Sequence, residues 1–83
     1  MPEICRFYGI IIKVFFGYHH SPPHFHAVYG DYNGLFNIET LELIEGDLPK
    51  RAIKMIVEWA AIYKNELMEM WKSQEFNKIP PLK

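Results

Sequence analysis

The sequence predicts an α+β fold, an antiparallel meander of three or four strands packed against one long C-terminal helix. Two observations carry that expectation. The first half is rich in β-branched and aromatic residues and is cut by turn-forming pairs such as Pro22-Pro23 and Asn33-Gly34, the pattern of short strands joined by turns. The second half has neither glycine nor proline between Lys50 and Ser73, and its apolar residues recur at helical spacing. A chain of 83 residues leaves room for one domain, 1–83, with strands over about 4–45, a helix over about 49–73 and a tail at 74–83.

The first strand is expected over Ile4–Phe16, with Gly9 marking a bulge or a close backbone approach. Its run "IIIKVFF" is apolar on both faces, which places it centrally. Pro22 and Pro23 end it, because neither donates a ladder hydrogen bond. "HFHAVYG" resumes a strand, "DYNG" supplies a hairpin turn at Asn33-Gly34, and "LFNIET" followed by "LELIEG" completes the meander. Asp47 is the expected helix cap, with Pro49 in the first turn where a missing amide costs little.

Ile53, Ile56, Val57, Ala60, Leu67 and Trp71 form the core stripe of that helix, and Met55, Trp59, Ile62, Tyr63 and Met70 widen it. A helix on one sheet needs only about 100° of apolar surface. The excess predicts a dimer or partner interface built on Trp59, Ile62 and Met70, against the plainer reading that loops and tail cover it. Lys64 falls inside the stripe, so either its stem lies along apolar surface with the ammonium in water or, the preferred reading, the helix kinks near Asn65. The tail is expected to pack Ile79 or Leu82 back onto the domain.

Composition narrows the function. A hydrophobic fraction of 49% argues against disorder, and thirteen aromatics exceed what one small core usually absorbs. The near-neutral balance, −1 in all, disfavours nucleic acid as the partner without excluding it. The single cysteine, Cys5, cannot form an internal disulfide and is read as inert packing in a reducing compartment. No membrane-spanning run and no leader-like start is visible, so a cytoplasmic protein is expected.

All four histidines lie in "HHSPPHFHAVYG", from His19 to His26. His24 and His26, two apart on a strand, point to one side, roughly 6.6 Å apart along it. Such a pair serves as metal ligands, with His20 as third donor and zinc or another divalent ion as cofactor, or as general acid and base. A hydrogen-bonded structural or recognition role is the third reading, and all three stay open. Lys50, Arg51 and Lys54 crowd the helix start, where they bind an anion or form a solvated basic face. The motif "HFHAV" departs from the alternating-histidine pattern of nucleotide hydrolases, whose next histidine would fall at Val28. There is no phosphate loop, nucleophile elbow or "HExxH".

Taken in order, "MPEICRFYGIIIKVFF", Pro22-Pro23-His24-Phe25-His26-Ala27-Val28-Tyr29-Gly30, Gly46-Asp47-Leu48-Pro49-Lys50-Arg51 and the helix bearing Trp59, Glu66, Leu67 and Trp71 resemble the small bacterial family called Domain of Unknown Function 4160. Members commonly carry aspartate where this chain has His19, so the pattern carries over to His20 rather than His19. The resemblance implies a gene neighbour encoding a second small domain, hence a two-gene toxin–antitoxin-like or regulatory module. It implies no activity and no catalytic residues.

Two functions are therefore expected. One is an interaction module that binds the product of an adjacent small gene, or itself through the helix, with Phe25, Tyr29, Trp59, Lys50 and Lys54 as binding residues. The other is a small nuclease or metal-dependent hydrolase in which His20, His24 and His26 act while Arg51 or Lys54 holds the phosphate.

Overall fold

The computed structural model describes residues 3–14 and 22–82. Five antiparallel strands form one sheet in sequential order, followed by two helices. The strands are β1 (Glu3–Phe7), β2 (Ile10–Lys13), β3 (His24–Tyr29), β4 (Tyr32–Asn37) and β5 (Leu43–Asp47), and the helices are α1 (Lys50–Ile62) and α2 (Lys64–Ser73). The α+β class and the meander agree with the sequence. The strand count is five rather than three or four, and the single long helix is two.

The extra strand comes from the start of the chain. Tyr8 and Gly9 both take positive φ, 48° and 80°, the geometry that a tight two-residue hairpin requires. The expected first strand is thus a hairpin of β1 and β2, and Gly9 turns the chain instead of bulging it. Its opening half, β1, lies at the sheet edge, and only β2 is interior. The end of the expected strand, Phe15 and Phe16, falls outside the described residues.

The next hairpin is also displaced. Tyr29 pairs with Tyr32, so the turn is Gly30-Asp31, with Gly30 at φ 60°. Asn33 and Gly34 lie within β4. Gly34 is needed for space: a Cβ there would stand 2.7 Å from Leu43 Cδ1 and 2.8 Å from Leu48 Cδ1. Opposite it, Gly46 has φ 100°, and a Cβ would run into the Asn33 carbonyl oxygen. Between these pairs the β4–β5 register shifts, with Leu35 facing Glu45 and Phe36 facing Leu43. Ile44 is the extra residue of that bulge.

Asp47 ends β5 and does not cap the helix. Pro49 takes the N-cap position, no side chain caps the helix there, and the Pro49 carbonyl accepts from the Ala52 and Ile53 amides. The helix breaks at Tyr63 (φ −109°, ψ 23°), two residues before the expected kink at Asn65. Lys64 becomes the first residue of α2, half-buried, while Leu67, Met70 and Trp71 turn inward. Gln74 adopts the left-handed conformation and closes α2, its amide donating to the Met70 carbonyl. The tail then returns to the sheet edge, where the Ile79 amide donates to the Ile4 carbonyl and the Ile79 side chain is buried.

The core lies between the sheet and α1. Ile10, Ile12, Phe25, Phe36, Ile56 and Trp59 are fully buried, and each such side chain contributes roughly 1.5–3 kcal/mol by leaving water. Trp59 sits at the centre, its ring 5.6 Å from Phe7 and 5.9 Å from Phe25, its indole N–H donating to the Pro80 carbonyl at 2.9 Å. Phe25 stacks on Phe36 at 5.3 Å. Among the described residues no helix is long and apolar enough to cross a membrane.

Candidate functional site

The helix interface expected from the wheel does not survive folding. Trp59 is fully buried and Met70 is buried, so of the three anchors only Ile62, 60% exposed, faces outward. The apolar surplus is consumed by the returning tail and by the break at Tyr63, which lets α2 bury its own apolar residues. Phe25, also expected to bind a partner, is fully buried under Trp59. Cys5 is buried too, and burial raises its thiol pKa, consistent with an inert packing residue.

His24 and His26 project from the same side of β3, alternating with the core residues Phe25 and Ala27, and their rings are 6.3 Å apart. Their environments differ. His24, the first residue of the strand, is buried, with the Trp71 ring 4.9 Å away. Its Nδ1 lies 2.9 Å from the Pro22 carbonyl oxygen. A carbonyl only accepts, so Nδ1 carries the proton and the basic lone pair of the neutral ring is on Nε2. Pro22 thus has a function in the motif beyond breaking the strand: its carbonyl orients the imidazole.

His26 is half-buried in the middle of a rung that runs Lys13, His26, Leu35, Glu45 across four strands. Burial lowers its pKa first, and the charges of His24 and Lys13 push the same way, while Glu45 opposes them. The ring is therefore biased towards its neutral form. Lys13 escaped the sequence reading because it interrupts an apolar run 13 residues before His26 and only strand pairing brings the two side by side.

Metal ligation requires more than this pair. Structural and catalytic zinc sites use three or four protein ligands, and among the described residues no three His, Cys, Asp or Glu side chains converge to hold an ion. His20, the expected third ligand, lies outside the described residues.

The other candidate residues gather at the opposite end of the strands. There the rung Phe7, Ile10, Tyr29, Tyr32 is the last before the two hairpin turns. The Tyr29 ring reaches under the first turn, within 3.4 Å of where a Gly9 Cβ would stand, and its hydroxyl accepts from Arg51 Nη2 at 3.3 Å. Tyr8 and Tyr32 flank it, 59% and 46% exposed. Lys50 and Lys54 are exposed on the first turns of α1. Arg51 is thus tied to Tyr29 at the far end of β3 from His24. Tyr8 and Tyr32 were not foreseen as site residues; their only sequence signal was the aromatic excess.

Comparison with known proteins adds one result. No curated protein and no solved structure matches the chain at a significant level. Residues 9–72, more than three-quarters of the chain and spanning β2, the histidine motif, Tyr29 and Tyr32 of the turn end and nearly all of both helices, match the family described as a domain of unknown function. The chain belongs to that family, DUF4160.

Proposed function

We propose that the protein is a cytoplasmic interaction module that binds the product of an adjacent small gene in a two-gene toxin–antitoxin-like or regulatory system. The observation that supports this reading is the turn end of the sheet, where Tyr8, Tyr29, Tyr32 and Arg51 lie together. Tyrosine and arginine dominate the energetic centres of protein interfaces, because they offer large rigid contact areas with a polar tip. Among the described residues Tyr8 is 59% and Tyr32 46% exposed, while most of the other large aromatics are buried or half-buried. Binding through this end replaces the helix surface that folding consumes.

Co-expression with the adjacent gene's product and size-exclusion chromatography test the reading. A stoichiometric complex that Tyr8→Ala with Tyr32→Ala weakens at least tenfold is expected. A monomer indifferent to that product overturns it.

A second reading, a metal-free RNA-cleaving enzyme, is supported by the two imidazoles 6.3 Å apart and by Lys13 on the same rung as His26. His26, held neutral, would take the 2′-hydroxyl proton as that oxygen attacks the phosphorus, the P–O5′ bond would break with the leaving 5′-oxygen protonated by water, and Lys13 would stabilise the charge developing on the phosphate. Lys13 replaces Arg51 and Lys54 in this role. RNA cleavage that is lost in His24→Ala, His26→Ala and retained in Arg51→Ala would favour it; cleavage unchanged by the histidine pair would end it.

A further inference from the structure

The tail that returns across the core leaves a groove of about 340 Å³ between itself and α2. Its apolar lining includes the buried Met70 and Ile79 with Pro80 beside them, and Tyr63 and the exposed Glu66 and Glu69 line it as well. The walls are held in place. The Ile79 amide donates to the Ile4 carbonyl, Trp59 donates to the Pro80 carbonyl, and the Asn77 amide contacts Met70 Sδ at 3.2 Å. Lys78, the cation among the lining residues, donates its ammonium to the Glu3 backbone carbonyl at 3.0 Å. That contact draws its charge towards β1, so the two glutamates dominate the groove.

We infer that this groove accepts an arginine side chain of the protein partner, an inference that rests on the interaction reading above. Charge complementarity selects a cation. The apolar lining suits an aliphatic stem, and the pairing of the Tyr63 ring with two carboxylates suits a planar guanidinium, which stacks on rings and forks onto carboxylates where an ammonium does not. The groove is open to solvent, so a side chain can enter it from outside. Glu66 and Glu69, three apart on α2, lie on one face of the helix and reach the same group.

The probe is N-acetyl-arginine amide, titrated into the full chain and followed by amide chemical shifts, beside the neutral citrulline analogue of the same shape. Saturable shifts centred on Tyr63, Glu66, Glu69 and Asn77 are expected with arginine and not with citrulline. Glu66→Gln with Glu69→Gln, both exposed and so expected to leave the fold intact, should weaken binding about tenfold, as loss of a charge-assisted contact does. Scattered shifts, equal shifts with citrulline, or an unaffected double variant would overturn the inference. The partner complex separates the two readings. A complex that forms but ignores the glutamine variants removes the groove and leaves the interaction module standing. Absence of any complex removes the module and with it the partner's arginine as occupant, even if the free amide binds.

Discussion

Replacing Trp59 by alanine distinguishes a core residue from a binding anchor. The side chain is fully buried, packs on Phe7, Phe25 and Tyr63, and donates to the Pro80 carbonyl at 2.9 Å. Truncating a buried aromatic of this size costs about 3–5 kcal/mol. Loss of the hydrogen bond, which also releases the tail, adds about 1 kcal/mol. A domain of this length has roughly 4–12 kcal/mol in total, at about 0.05–0.15 per residue. The variant should therefore lose from about a third to all of its stability. Urea unfolding followed by far-ultraviolet circular dichroism reads the effect directly: at a slope near ~1 kcal/mol per molar, the midpoint falls by several molar or the folded baseline vanishes. Ile62→Ala is the control, since that side chain is 60% exposed and truncation should change stability by no more than about 0.5 kcal/mol. A Trp59→Ala protein within about 1 kcal/mol of wild type, and defective only in binding, would refute the placement of Trp59 in the core.

Three further outcomes are expected. Gly46→Ala, whose Cβ meets the Asn33 backbone at a φ of 100°, should cost about 3 kcal/mol or more. Gly34→Ala, which presses on the ends of two leucines and makes only ordinary contact with the Glu45 carbonyl, should cost about 1–2 kcal/mol; equal values by urea unfolding would contradict the geometry. His26 has a folded pKa below its unfolded value, so its contribution is complete above the unfolded pKa near ~6.5 and is lost as pH falls through the folded pKa. His26→Gln should flatten the stability–pH profile in that acidic window, and an unchanged slope would discount the burial of the ring. Deleting residues 77–83 should unseal the β1 edge by removing the Ile79–Ile4 and Trp59–Pro80 hydrogen bonds; faster hydrogen exchange confined first to β1 is the expected signature.

The sequence by itself determined the class of fold, the β-then-α order, the strand bearing the histidines and the family. These follow from local properties: β-branched and aromatic runs, proline breaks and helical periodicity act over a few residues and are legible in one dimension. It also put His24 and His26 on one side of a strand, because alternation along a strand is strictly local. What it misplaced depended on partners remote in the chain. Asn33-Gly34 reads as a turn, yet the glycine is there to admit Leu43 and Leu48, which the local pattern does not reveal. The surplus of apolar residues on the helix reads as an interface until the tail folds back and Pro80 closes over Trp59. Lys13 beside His26, and Arg51 against Tyr29, exist only through sheet register and helix docking. Tertiary structure decided which aromatics were left outside, because burial is a property of the whole packed domain and not of any single segment.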